Sequence, residues 1–108
     1  MPIEYRKLIF LERELYELVP EFCEGNGTIL AQDEIVSVEL TDVPNHPVVL
    51  RYTTATQSGT SEVSLSRDQL AAALISYCRQ NRIPVPRSAT KNLKIDGNEV
   101  SLLVHVPK

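Results

Sequence analysis

A chain of 108 residues, 43% of them hydrophobic and 23% charged, buries about 65% of its unfolded surface, which suffices for one core and excludes two independent ones. Its apolar content excludes disorder, because enough side chains are available for burial to offset chain entropy. The net charge of −3 conceals a split: residues 1–62 hold four basic and eleven acidic side chains, whereas 63–108 hold seven basic and three acidic. Such an asymmetry marks either mutual attraction within the fold or a polyelectrolyte partner on the basic side.

Tyr5 to Phe10 opens the chain with alternating residues, placing Leu8 and Phe10 on one face as a half-buried strand requires. A helix follows, with the stripe Leu15, Val19, Phe22 and Cys23 and a stop at Gly25-Asn26-Gly27. Pro20 lies inside it, and the lost hydrogen bond and ring clash predict a kink or a break after Val19. Strands are expected over Ile35 to Thr41 and Val48 to Thr54, and the polar stretch Thr53 to Ser61 reads as a hairpin loop.

The strand Ser61 to Leu65 leads to a helix whose N-cap is Ser66, with Gln69 completing a capping box and Leu70, Leu74, Tyr77 and Cys78 forming the apolar stripe. It ends near Asn81, because Pro84 and Pro86 forbid continuation. Lys91 to Ile95 and Glu99 to Val106 are the last strands, joined by a tight turn at Asp96-Gly97.

An offset of 55 superposes the two halves: Leu15 on Leu70, Cys23 on Cys78, Asn26 on Asn81, Val38 on Leu93 and Leu40 on Ile95. After three residues are removed from the second copy, Val48, Leu50 and Tyr52 fall on Val100, Leu102 and Val104. The expected fold is therefore α+β, a tandem β-α-β-β repeat in the order β-α-β-β-β-α-β-β, with two helices on one face of a mainly antiparallel sheet. Residues 1–108 form one domain of two repeats, about 5–54 and 61–106.

No catalytic set can be assembled. Cys23 and Cys78 sit at equivalent places on apolar helix faces, where free cysteine behaves as a small hydrophobe. His46 and His105 stand far from them in sequence, and four isolated positions lack the close ligand pairs of a zinc site. Gly25-Asn26-Gly27-Thr28 follows a helix instead of opening one, so it caps and does not cradle phosphate. The acids Glu12, Glu14, Glu17, Glu21 and Glu24 read as a solvated helix face. No cofactor or metal is expected.

One stretch has a functional candidate. Arg79, Arg82, Arg87, Lys91 and Lys94 lie together with no acidic residue between them, on a segment stiffened by Pro84 and Pro86. They are candidates for contact with nucleic acid or an acidic partner, although no aromatic residue is interleaved with them for base stacking. The expectation is a non-enzymatic interaction or regulatory module that binds a protein partner or itself. A nucleic-acid-binding regulator is the alternative, and a small-molecule binder or enzyme with a site between the repeats comes third. The charged start, a longest apolar run of Leu70 to Ile75 and only two cysteines predict a cytoplasmic protein with no membrane association.

Overall fold

The structure, a computed structural model, describes residues 4–41, 43–54, 58–87, 89–97 and 99–106. Part of the loop expected over 53–61 and residue 98 lie outside these, and the tight turn expected at Asp96-Gly97 comes one residue later, since Asp96 ends β5 opposite Glu99 and Gly97 takes the positive φ. The elements are β1 (Glu4–Phe10), α1 (Glu12–Gly25), β2 (Glu34–Leu40), β3 (Val48–Thr53), β4 (Ser61–Leu65), α2 (Arg67–Gln80), β5 (Thr90–Asp96) and β6 (Glu99–Val106). The order is β-α-β-β twice, an α+β fold.

The strands form two antiparallel sheets of three, ordered β1-β6-β5 and β2-β3-β4. The first strand of each half has crossed over to the hairpin of the other. Phe10 pairs with Val100 and Leu8 with Leu102, while Leu65 pairs with Val48 and Val63 with Leu50. These are the same register positions at the offset of 55 for the outer strands and 52 for the central ones. The hairpins correspond as well: Leu40 faces Val48 and Val38 faces Leu50, as Ile95 faces Val100 and Leu93 faces Leu102.

Each helix begins and ends in the same way. The Leu15 amide donates to the Leu11 carbonyl and that of Leu70 to Ser66. At the far ends the Thr28 amide donates to Cys23 at 2.8 Å and the Ile83 amide to Cys78 at 2.7 Å. Ser66 has both bonds of the expected capping box with Gln69. Leu11, in the same extended backbone, offers no side-chain bond.

Of the kink or break expected after Val19, the break does not occur, for α1 runs through Pro20 to Gly25. Leu18 and Val19 before the proline and Cys23 after it are all at most 3% exposed, so a break would draw one side or the other out of the core. Burying Leu18 and Val19, at about 1.5–3 kcal/mol each, outweighs the roughly 3 kcal/mol that an internal proline costs. Packing overrides local propensity here.

One apolar cluster joins both sheets and both helices, with Leu15, Val19, Leu50, Leu65, Leu70, Leu74, Val100 and Leu102 buried in it. Both helices pack on the faces that bear these residues: Tyr16 of α1 donates to the Val36 carbonyl at 3.3 Å, and Tyr77 of α2 meets Phe10 edge-on at 6.0 Å. Leu40, Thr41 and Pro47 from one sheet and Ile95 and Gly97 from the other line a common groove. The turn ends therefore meet at the centre, and each sheet extends outward. Extents of 58 × 27 × 20 Å and a radius of gyration of 15.1 Å describe an elongated body, since a compact chain of this length has about 13 Å.

Candidate functional site

Three of the five candidate cations, Arg79, Arg82 and Arg87, gather toward the outer end of the β1-β6-β5 sheet. The last turn of α2 carries Arg79 and the segment after it Arg82 and Arg87, all exposed, and the Pro84 carbonyl within that segment accepts from the Arg6 guanidinium at 3.2 Å. That bond draws Arg6 into the cluster from the opposite end of the sequence. Among the described residues, none of Arg79, Arg82 and Arg87 has a carboxylate within ion-pair distance, whereas Arg6 is paired with Glu4.

Lys91 and Lys94 separate. Lys91 is half-buried on the helix side of β5, where its amine donates to the Ala89 carbonyl at 3.1 Å and to the Arg87 carbonyl at 3.5 Å. It fastens the segment that bears the arginines. Lys94 is exposed on the other side of the strand, three residues further toward the central groove.

Among the described residues no helix covers that other side of the sheet. Its rows follow from the register: Tyr5, His105 and Thr90, then Lys7, Leu103 and Asn92, then Ile9, Ser101 and Lys94, and last Glu99 and Asp96 beside the turn. Tyr5 and His105 stack with ring centres 4.6 Å apart and planes 7° from parallel. Tyr5 is 74% exposed, so one side of its ring lies against the imidazole while the other faces solvent. A hollow of about 310 Å³ beside the pair is lined in part by Lys7, Asn92 and Leu103.

The strand exchange sharpens the charge split. With β1 moved beside α2, β5 and β6, the sequence divides into residues 1–10 with 66–108, which hold nine basic and four acidic side chains, and residues 11–65, which hold two basic and ten acidic. On the outer face of the β2-β3-β4 sheet, Arg51 is held between Glu39 and Glu62. The hydrogen bonds it donates to Glu62 and then to Glu39 raise its pKa, so this cation is not free. The two ends of a 58 Å body thus have opposite sign.

Other constellations do not gather. Cys23 and Cys78 are buried free thiols, each with its pKa raised by burial, whereas His46 is exposed in a loop. Among the described residues no three His, Cys, Asp or Glu side chains stand where they could hold a metal ion, and no helix is long and apolar enough to cross a membrane. The central groove, of about 480 Å³, has Arg67 as its one ionisable lining residue among those described, and that guanidinium donates to the Leu93 carbonyl at 2.6 Å.

Comparison with known protein families, curated proteins and solved structures finds no match to this chain. The residues that sequence reasoning missed are Tyr5, Arg6, Lys7 and His105. Tyr5 and His105 are one hundred positions apart, and only the crossing of β1 to β6 brings them together. The offset of 55 pairs the halves in order and carries no sign of that exchange.

Proposed function

We propose that the chain is a non-enzymatic interaction module, one domain built from a duplicated β-α-β-β unit, which meets an anionic partner through the outer end of its β1-β6-β5 sheet. The observation that carries this reading is the convergence of Arg6, Lys7, Arg79, Arg82 and Arg87 from sequence-distant segments onto one end. Arg79, Arg82 and Arg87, exposed and without a carboxylate partner among the described residues, keep their field directed outward, which raises the local concentration of an anion. The opposite end repels the same partner and so orients it. The buried, reduced cysteines fit a cytoplasmic setting.

The test is electrostatic. Retention on a heparin column that falls with salt, and falls further in an Arg82→Glu/Arg87→Glu double variant, supports the reading. Equal elution of the two proteins contradicts it.

Self-association is a second reading, favoured by one observation. β2 carries a register shift between Ile35 and Ser37, β4 has only five residues, and β5 presents Lys91 and Lys94, all devices that blunt a sheet edge. β1 is seven residues long with an unbroken register to β6 and no partner on its other side. A second copy adding along β1 would appear as a dimer in light scattering that Ile9→Lys, on that strand, dissociates; a monomer at all concentrations removes this reading.

A further inference from the structure

We infer that the anionic partner is a single-stranded nucleic acid, one base of which stacks on the open side of the Tyr5 ring. This rests on the reading of the basic end as the contact surface. A tyrosine on a strand ordinarily has its ring covered by neighbours, yet this one is 74% exposed and already parallel to His105 at 4.6 Å. The pair is a stack with one vacant side. Any base offers a π-face that extends it, without demand on sequence.

The surroundings select a charged strand. Lys7 follows Tyr5 on the same face, about 7 Å along β1, and Arg82 and Arg87 stand exposed beyond the sheet end, on the segment bound to Arg6. A phosphate flanking the stacked base on the sheet therefore meets Lys7, and the exposed arginines of the 79–87 segment add positive field at that end. Asp96 and Glu99 stand opposite each other at the turn end of the same face and repel phosphate, which confines the strand to the rows of Tyr5, Lys7 and Lys94. A duplex keeps its base faces internal and presents none to the ring. An acidic polypeptide would use the arginines and leave Tyr5 idle.

The experiment is fluorescence anisotropy with labelled oligo(dT), a labelled duplex and labelled polyglutamate, at about 50 and about 200 mM salt. The proteins are wild type, Tyr5→Ala, Tyr5→Trp and the Arg82→Glu/Arg87→Glu double variant, each checked for an unchanged melting curve. Oligo(dT) is expected to bind more tightly than duplex. Tyr5→Ala should weaken it by about 5-fold or more without changing the salt slope, and Tyr5→Trp should retain binding. Equal affinity for oligo(dT) and duplex, or no effect of Tyr5→Ala, overturns the stacking inference; polyglutamate binding lost in the double variant then leaves the basic surface standing as a site for acidic chains. Absence of binding by all three probes at the lower salt overturns both.

Discussion

Arg82 occupies, after α2, the left-handed backbone position that Gly27 occupies after α1. Their φ angles are 59° and 81°, and their amides donate to the equivalent carbonyls of Arg79 and Glu24 at 3.3 and 3.1 Å. Glycine takes this conformation freely, whereas a residue with a Cβ is strained there by about 1–2 kcal/mol. Part of that is returned in the unfolded chain, where glycine has more freedom to lose. Arg82→Gly is therefore expected to stabilise the fold by about 0.5 kcal/mol while weakening anion binding. A thermal midpoint that rises as heparin retention falls is the outcome that shows a cation kept at the expense of stability.

Leu11 and Ser66 form the corresponding pair at the helix starts. Ser66 and Gln69 complete a capping box, whereas Leu11 makes no cap bond and is 43% exposed. Glu14 stands at the third helical position, as Gln69 does, and its buried Oε2 makes no hydrogen bond and lies 3.5 Å from the Arg13 Nε. Leu11→Ser supplies the missing half of a box and is expected to add about 1 kcal/mol. Ser66→Ala should remove a similar amount. Urea titrations of the two variants test the pair, and a destabilised Leu11→Ser would show that the leucine packs more than it appears to.

How far the sequence carried can be judged on these pairs. The helix stripes, the capping box and the tight turn after Asp96 depend on neighbours within a few residues, and periodicity reports them directly. Continuity of α1 through Pro20 did not follow, because it depends on the burial of Leu18 and Val19 on one side of the proline and Cys23 on the other against elements remote in sequence. The same distinction governs the candidate site. Arg79, Arg82 and Arg87 are contiguous enough to be read as a group, but Arg6 joins through a bond to Pro84 and Tyr5 meets His105 only across a non-local strand pair. Lys91 and Lys94 look alike in a charge count, and strand alternation turns one toward the backbone of its own segment and the other to the opposite face.

The thiols make a prediction about pH. Burial raises the pKa of both Cys23 and Cys78, so the native protein keeps protons that the unfolded chain releases above about 8.5. The unfolded state then binds fewer protons, and stability must fall as pH rises through that value, with the contribution fully present below it. A urea midpoint that drops between pH about 7.5 and about 9.5, less so in a Cys23→Ala/Cys78→Ala variant, is expected. A thiol reagent at neutral pH should label neither cysteine until the chain unfolds.

The exchange of β1 and β4 makes the two sheets mechanically inseparable. Each sheet takes its outer strand from the other half of the chain, and Leu50 and Leu102, central in the two sheets, belong to one buried cluster. Neither half can unfold alone without stripping a strand from its partner. Leu50→Ala is expected to cost about 2–5 kcal/mol, and this loss should be felt equally at both ends of the molecule. Amide signals of Val100 to Val104 should therefore disappear at the same urea concentration as those of Val48 to Tyr52, in the wild type and in the variant alike. Two separated transitions would mean that the lobes are independent folding units, and the shared core would then contribute little to cooperativity.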